Sequence, residues 1–150
     1  MRTKELVLIP TKDILRLLPL INKHTDKAFH TGSGESTYES LIGKALTGDA
    51  QVWALMEEGK CYGICTTELM TYHNYRCLHL ITLGADPDTA YGEFHYGLEE
   101  FAKHHGCKDI QFWGRPGWSK TIGKNITGKN DEKYKETYRV FSMELEYEQI

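Results

Sequence analysis

The chain lacks the features that identify a membrane protein or a secreted protein. No apolar run approaches the ~20 residues that a membrane-spanning helix needs. The first ten residues, MRTKELVLIP, have neither the long apolar core nor the small-residue cleavage site of a secretion signal. We therefore expect no membrane contact and a location in the cytoplasm.

An excess of basic residues is also missing. Lysine and arginine together number 18, against 21 aspartate and glutamate residues, which gives a net charge of −3. A general nucleic-acid-binding protein normally carries a basic face, so we do not expect this class. Apolar residues make up 40% of the 150-residue chain, which excludes a disordered chain and is ordinary for a globular protein. We expect residues 1–150 to form a single domain.

Cysteine is scarce, and its spacing excludes two common kinds of site. The four residues are Cys61, Cys65, Cys77 and Cys107. No Cys-x-x-Cys pair occurs, so we expect neither a zinc ribbon nor a thioredoxin-like redox site. Cys61 and Cys65 have the same parity, so on one strand they would share a face as small buried apolar residues.

Other catalytic motifs are absent as well. Residues 31–35, TGSGE, are rich in glycine but follow a helix and lack the Lys-Ser/Thr of a phosphate-binding loop. His104 and His105 would point in different directions from a helix, so together with Cys107 they do not complete a metal site. No Gly-x-Ser-x-Gly elbow or Cys-His nucleophile arrangement is present, and we expect no bound metal.

The first fifty residues predict one strand and a pair of helices. Residues 5–9 form a short apolar strand that Pro10 ends, and Thr11 can cap the helix that follows. Pro19 lies inside this helical pattern and should kink the helix or split it in two. Residues 30–35 predict a flexible connector, and a second helix is expected from about residue 38 to residue 46.

Three strands are then expected in succession. Residues 51–57, 61–69 and 76–83 are apolar and rich in residues that favour strands. Glu58-Gly59 makes a tight turn between the first two strands, and a turn around His73 joins the second to the third. Short connections of this kind are typical of an antiparallel meander, which residues 84–89 should end.

The last third of the chain predicts a central helix and two more strands. Apolar residues recur at helical spacing over residues 91–102, and Gly106 supplies the left-handed conformation that commonly ends a helix. Residues 108–113 predict a strand that runs into the sequence GRPGW, and residues 137–147 predict a final strand. The predicted order is β-α-α-β-β-β-α-β-(α)-β, which is an α/β arrangement of the α+β type.

Three local patterns match a known family. They are Glu58-Gly59-Lys60-Cys61 followed by Gly63, residues 102–107 at the end of the central helix, and residues 114–118. Together with the element order, these patterns resemble the GCN5-related N-acetyltransferase (GNAT) superfamily, and within it the GNAT-like proteins of tailed phages and prophages. The resemblance implies a GNAT-like fold, with a central mixed, mostly antiparallel sheet flanked by helices, and the function of an N-acyltransferase.

The resemblance implies acetyl-CoA or another acyl-CoA as the cofactor. Its diphosphate would lie before the central helix, in the loop that Leu83 and Gly84 begin. This loop has no basic residue, and Asp86 and Asp88 would repel phosphate. Two like charges about 4 Å apart cost roughly 4 kcal/mol at an effective dielectric constant near 20. Asp88 or Thr89 is better explained as the cap of the helix.

Three residues after the fifth strand are candidates for binding the cofactor. Arg115 and Trp118 lie in GRPGW, at the carboxyl end of a strand, where ligands commonly bind in α/β folds, and Lys120 follows them. The same residues have a structural explanation. The glycines and proline make a sharp turn, Trp118 buries its ring against the sheet, and Arg115 pairs with a carboxylate or with backbone carbonyls.

Candidate catalytic residues also follow from the resemblance. The superfamily often uses a carboxylate on the meander as a general base and a tyrosine after the fifth strand as an acid. Glu68 or His79 would be the base, although a histidine in a strand is more often structural. Tyr134 and Tyr138 lie in the region expected for the acid, and we select Tyr138 as the site residue. The substrate would be an amine of a small molecule or of a protein.

The same features fit a catalytically inactive GNAT-fold protein encoded by a phage. Such a protein would bind no cofactor and would act as a virion-associated component or by binding a host protein, in the virion or in the host cytoplasm. The two functions predict different geometry. An acyl-CoA enzyme needs its fourth and fifth strands to separate, whereas direct pairing of Leu83 with Phe112, or a gap filled by Trp118, would favour the binding protein.

Overall fold

A five-stranded sheet with three α-helices forms the described part of the chain. The computed structural model describes residues 4–31, 37–86, 89, 91–112, 128–130, 132–135, 137 and 141–147, without the side chains of residues 26–31 and 91. The strands are β1 (Glu5–Leu8), β2 (Gln51–Glu57), β3 (Lys60–Thr71), β4 (Arg76–Ala85) and β5 (Asp109–Phe112). The helices are α1 (Leu18–Thr31), α2 (Tyr38–Thr47) and α3 (His95–His104), with 3-10 turns at Thr11–Asp13 and Tyr91–Phe94.

The strands lie in the order β1-β2-β3-β4-β5, and all neighbours are antiparallel except β4 and β5. The turn between β2 and β3 explains the first hairpin. Glu58 has a φ of 50° and Gly59 a φ of 79°, which is the pair of positive φ values that a two-residue hairpin turn requires. The predicted meander is therefore confirmed. The parallel pairing of β5 follows from the crossover through α3.

Pro19 splits the first helical region as predicted. The 3-10 turn at Thr11–Asp13 comes first, and α1 begins at Leu18, so Pro19 lies in the first turn, where a missing N–H costs little. The helix then continues to Thr31, so His30 and Thr31 do not belong to a connector as predicted. Thr37 begins α2 with a capping box, in which its hydroxyl and that of Ser40 exchange hydrogen bonds with backbone N–H groups.

One extra residue interrupts the register between β2 and β3. Tyr62 in β3 has no counterpart in β2, because Leu55 pairs with Gly63 and Met56 pairs with Cys61. The bulge reverses the alternation of side chains, so Cys61 packs with the cluster beneath α1 and α2 while Cys65 belongs to the cluster beneath α3. The expectation that Cys61 and Cys65 share a face is therefore wrong.

Each face of the sheet carries its own apolar cluster, since alternate residues of β2 enter different ones. Val52 and Ala54 join a cluster with residues of α1 and α2, and Trp53 and Leu55 join one with residues of α3. The first cluster contains Ile9, Ile14, Ile21, Ala45, Val52, Ala54 and Ile64. The second contains Trp53, Leu55, Cys65, Leu78, Phe94, Leu98 and Ala102.

The predicted final strand at residues 137–147 is wrong for the residues that are described. Thr137 and residues 141–147 belong to no strand, and Phe141 and Met143 are 90% and 85% exposed. The alternation of apolar and polar residues is real, but none of the described strands pairs with this segment, so its apolar side chains are left in solvent. The expected end of β4 is also wrong, because the strand continues through Gly84 to Ala85, where residues 84–89 were expected to end the sheet.

No helix in the described ranges is long and apolar enough to cross a membrane.

Candidate functional site

Strands β4 and β5 pair in parallel over four described residues. Cys77 pairs with Asp109 at one end and Leu80 with Phe112 at the other, while β4 continues for five more residues. Phe112 has Leu80 as its partner on β4, so it is not paired with Leu83. The direct pairing predicted for an inactive binding protein is therefore absent from the described strands. The separation predicted for an acyl-CoA enzyme, and the position of Trp118, fall on residues outside the described ones.

A bulge in β4 lies directly after Leu80. Thr66 pairs with Thr82 and Thr67 pairs with Leu80, so Ile81 is the extra residue. A bulge bends its strand and increases the local twist. Ile81 follows Leu80, so the bend occurs just after the last residue of β4 with a described partner on β5.

Glu68 and His79, the two alternatives for a base, occupy directly opposed positions on β3 and β4. Lys44 of α2 donates a hydrogen bond of 3.0 Å from its Nζ to Oε1 of Glu68, which places this pair on the α2 face of the sheet. Burial lowers the pKa of His79, with Lys44 acting in the same direction and Glu68 opposing it. His79 is therefore favoured in its neutral form, as a proton acceptor must be.

Polar side chains extend from His79 onto β5. Gln111 pairs with His79 in the parallel register. Its Nε2 donates to the Asp109 carboxylate at 3.2 Å and to the hydroxyl of Tyr75 at 3.4 Å. Lys108 places its ammonium 5.0 Å from the centre of the Tyr75 ring. Carboxylates and aromatic faces of this kind suit a positively charged ligand.

Gly84 lies against α1. A Cβ atom at this position would overlap the backbone of His24, so only glycine allows the helix to approach β4 this closely. The following residue, Ala85, pairs with Gly63, where a Cβ atom would come within 2.7 Å of the Phe94 ring. The structure therefore gives Gly84 a packing role, and its predicted contact with a cofactor stays a prediction.

Asp86 is held by its neighbours on β3 and α1. Its N–H donates to the Tyr62 carbonyl at 2.8 Å, and its Oδ1 lies 4.0 Å from both Lys23 Nζ and His24 Nδ1. Lys23 therefore offsets part of the negative charge of Asp86, whereas burial lowers the pKa of His24 and favours its neutral form. Asp88 lies outside the described residues.

The entry to α3 also differs from the prediction. The helix begins at His95 with Phe94 as its N-cap residue, and no side chain caps it. The 3-10 turn at Tyr91–Phe94 comes before this helix, and the cap predicted at Asp88 falls on a residue outside the described ones. Thr89 donates its N–H to the Asp86 carbonyl at 3.2 Å, which tightens the turn after β4.

Three polar side chains that the sequence did not connect meet on the α3 face. His95 Nε2 lies 2.8 Å from the Tyr134 hydroxyl, and His95 Nδ1 lies 3.3 Å from Oε2 of Glu99. His95 and Glu99 are buried, with 9% and 8% of their surfaces exposed. The Tyr134 ring stacks edge-on against Phe112, with 5.0 Å between the ring centres. Tyr134 therefore contacts the last described residue of β5.

The predicted site residues divide into two groups. Glu68, His79, Leu83 and Gly84 are described, and all four lie on β3 and β4. Arg115, Trp118, Lys120 and Tyr138 lie outside the described residues, so their predicted roles stay predictions. Of the two tyrosines considered for the acid, Tyr134 is the described one, and its contact with Phe112 is non-local in sequence.

The cysteines do not form a nucleophilic site. Cys65 and Cys77 are fully buried, and burial raises the pKa of both thiols, that of Cys77 to about 11. A thiol with a raised pKa carries little of the reactive thiolate at neutral pH. In the part of the chain that is described, no three His, Cys, Asp or Glu residues are arranged to hold a metal ion.

Comparison with known proteins identifies the fold. No protein-family description and no curated protein matches the sequence. Among solved structures, an aminoglycoside acetyltransferase from an uncultured soil metagenomic sample, in complex with sisomicin, is 12% identical with a TM-score of 0.68; the match covers 95% of this chain and 97% of that one. A GNAT family acetyltransferase of Staphylococcus aureus is 19% identical with a TM-score of 0.60, covering 96% of this chain and 100% of that one.

A third similar structure is a ribosomal-protein-alanine N-acetyltransferase from Brucella melitensis biovar Abortus. It is 9% identical with a TM-score of 0.63, and the match covers 94% of this chain and 99% of that one. These similarities confirm the predicted fold class, a GNAT-like α+β fold with a mixed sheet flanked by helices. At such low identity they establish the fold alone. None of the three is described as a phage protein.

Proposed function

We propose that this chain is an acyl-CoA-dependent N-acyltransferase. The observation that supports the proposal most strongly is the grouping of side chains able to move protons around the end of β5 at Phe112. Glu68 and His79 lie on the α2 face of the sheet, and Tyr134 lies on the α3 face against Phe112. A thioester held beside this end of β5 would have a base on one side and an acid on the other.

The segment of β4 beyond Leu80 is our candidate for contact with the pantetheine arm. It begins after Leu80, the last β4 residue with a described partner on β5, and we propose that its backbone amides pair with an amide-containing ligand. Leu83 and Gly84 lie on it. For the diphosphate we retain Arg115, Trp118 and Lys120 as candidates, because the described loop around Asp86 supplies no positive charge of its own.

Acetyl-CoA or another acyl-CoA would supply a thioester carbonyl open to attack by an amine. We propose that His79, with Glu68 beside it, accepts a proton from that amine as the amide C–N bond forms. Burial raises the pKa of Tyr134, with the charge of Glu99 adding to this effect, so the phenol retains its proton. Tyr134 would pass that proton to the sulfur as the thioester C–S bond breaks. Tyr138 remains the alternative for this role.

The substrate class we propose is a positively charged amine on a small molecule or on a protein. Glu68 and Asp109 place carboxylates on neighbouring strands, and Tyr75 offers an aromatic face that already carries one ammonium group. The similar structures include one with sisomicin bound and one that acts on ribosomal-protein alanine. Both kinds of acceptor therefore belong in a first substrate panel.

The proposal is tested by calorimetric titration with acetyl-CoA, followed by a thiol-release assay with aminoglycosides, polyamines and alanine-initiated peptides. A ligand present at 100 times its dissociation constant should add about 2.7 kcal/mol to the free energy of unfolding. We expect such a stabilisation, together with thiol release that depends on the amine. The absence of both heat and stabilisation at millimolar acetyl-CoA would overturn the proposal.

That negative result would favour the second candidate, a catalytically inactive GNAT-fold protein of phage origin that binds a virion or host protein. One observation favours it independently. Residues 141–147 expose Phe141, Met143, Leu145 and Tyr147 in an alternating pattern. Exposed apolar side chains in such a pattern are typical of a surface that a partner covers.

A further inference from the structure

Resting on the proposed N-acyltransferase function, we propose that His95 and Glu99 are positioning residues that hold the Tyr134 hydroxyl beside the end of β5 at Phe112. The two residues lie one helical turn apart on α3, and each is tied to a different part of the chain. His95 contacts Tyr134, and Glu99 contacts the backbone of Lys129. Neither the sequence patterns nor the family resemblance points to this pair.

The contacts form a continuous chain of polar atoms. The Tyr134 oxygen is 2.8 Å from His95 Nε2, and His95 Nδ1 is 3.3 Å from Glu99 Oε2. This last contact has ion-pair distance but is not a hydrogen bond. Glu99 is fixed from the far side, because the N–H of Lys129 donates to both of its oxygens at 3.2 Å. The imidazole is therefore held by a hydrogen bond at Nε2 and by a close contact with Glu99 at Nδ1.

Burying His95 and Glu99 costs desolvation free energy, which suggests a role other than stabilising the fold. His95 and Glu99 are each more than nine-tenths buried, and a buried polar group stabilises a fold only when it is fully paired. Apolar residues at both positions would fill the space beneath α3 without the desolvation cost. The segment also fits tightly, since a Cβ atom on Gly128 would come within 2.6 Å of Glu99 Oε1. The polar groups of His95 and Glu99 are thus retained on the buried face of α3, which also carries the apolar residues Leu98 and Ala102.

The position of Tyr134 links this chain of contacts to the proposed chemistry. Its ring packs on Phe112, the last residue of β5. His95 Nε2 holds the phenol oxygen, and the phenol proton is free for the sulfur when Nε2 is the donor in this contact. A fixed hydroxyl favours proton delivery, because a small misplacement of a catalytic group costs a large factor in rate. Glu99 acts through His95, in the way that a carboxylate orients a histidine in other enzymes.

The test measures kcat and KM for Tyr134→Phe, His95→Gln and Glu99→Gln, and for the last two again in the Tyr134→Phe background. We expect Tyr134→Phe to lower kcat about a hundredfold. We expect His95→Gln and Glu99→Gln each to lower kcat about tenfold with little change in KM for acetyl-CoA. In the Tyr134→Phe background both should have almost no further effect, because residues that act through one group are not additive. Glu100→Gln and His104→Gln, on the exposed face of α3, are matched controls that should retain activity.

The outcomes separate this inference from the function on which it rests. If the wild-type protein binds and turns over acetyl-CoA but His95→Gln lowers kcat equally with and without Tyr134, the positioning role is overturned and the function stands. A loss of thermal stability with unchanged kcat would mean that the pair is purely structural, which also overturns it. A wild-type protein with no turnover overturns the proposed function itself. In that case ¹⁵N spectra of the His95 imidazole, which should respond to both Tyr134→Phe and Glu99→Gln, still decide whether the contacts exist.

Discussion

Gly84 of β4 touches the backbone of His24 in α1 so closely that a methyl group has no room there. This contact joins the end of β4 to the helix that covers one face of the sheet. Its consequence is measurable. Gly84→Ala should lower the free energy of unfolding by about 1–3 kcal/mol, because overfilling a packed contact forces the backbone to shift.

The matched control for that substitution is Gly43→Ala. Gly43 lies in α2 with nothing near its missing Cβ, so alanine there should stabilise the helix by up to about 1 kcal/mol. Urea denaturation of both variants gives the two changes. Equal effects of the same sign would contradict the close contact between Gly84 and His24.

The opposed pair on β3 and β4 makes a prediction about activity. Glu68→Gln and His79→Gln should each lower kcat, and the residue that accepts the proton should lower it by about 10²–10⁴-fold. The other residue should show the smaller loss, which identifies the base. Glu39→Gln, an exposed glutamate at the start of α2, serves as the control. Wild-type rates in both variants would exclude this pair from the chemistry.

Two histidines with lowered pKa values, the buried His24 and the half-buried His79, predict that stability falls with acidity. Burial lowers the pKa of His24 and of His79 from the ordinary value of 6.5, although Asp86 and Glu68 oppose the effect. Below pH 6.5 the unfolded chain therefore binds protons that the folded chain does not, so the free energy of unfolding decreases as pH falls from 6.5 toward the pKa values in the folded protein. Above 6.5 this contribution is fully present.

Urea denaturation between about pH 8 and pH 5 measures this loss, in a range that lies above the titration of Glu132, whose pKa is lowered from 4.5. His24→Gln and His79→Gln should each make the curve flatter. Stability that stays constant over the range in the wild-type protein would be inconsistent with two histidines held neutral.

The thiols should differ in reactivity. Cys65 and Cys77 are fully buried, whereas Cys61 and Cys107 are half-buried, and the pKa of every one of these thiols is raised by burial. We expect Ellman's reagent to reach no more than two thiols, slowly, in the native protein and all four in urea. Cys107→Ser should remove one reactive thiol from the native count. Rapid labelling of all four would mean that the sheet opens readily.

Local patterns explain which parts of the fold the sequence predicts. Glu58-Gly59 and the alternation around it specify a hairpin within a few residues, and Pro19 marks a helix boundary by its own covalent structure. The bulge at Tyr62 escapes such reasoning, because an extra residue shows only when two strands are set side by side. For that reason the side of the sheet reached by Cys61 was mispredicted.

The candidate site divides in the same way. The sequence predicts Glu68 and His79 as candidates because each lies on a predicted strand, and strand pairing alone brings them together. Tyr134 and His95 are 39 residues apart, and their contact depends on how the chain after β5 returns to α3. No pattern within either segment reports that return. The alternation of residues 141–147 shows the converse, since a strand pattern without a partner strand does not make a strand.

The sheet order described above also has a consequence for how the protein folds. Strands β2, β3 and β4 are neighbours both in sequence and in the sheet, whereas Glu5 of β1 pairs with Met56 across the whole helical region. Closing a short turn costs less chain entropy than closing a long loop. Amide protection during refolding should therefore arise first in the three-strand meander. The two outer strands, β1 and β5, should become ordered last.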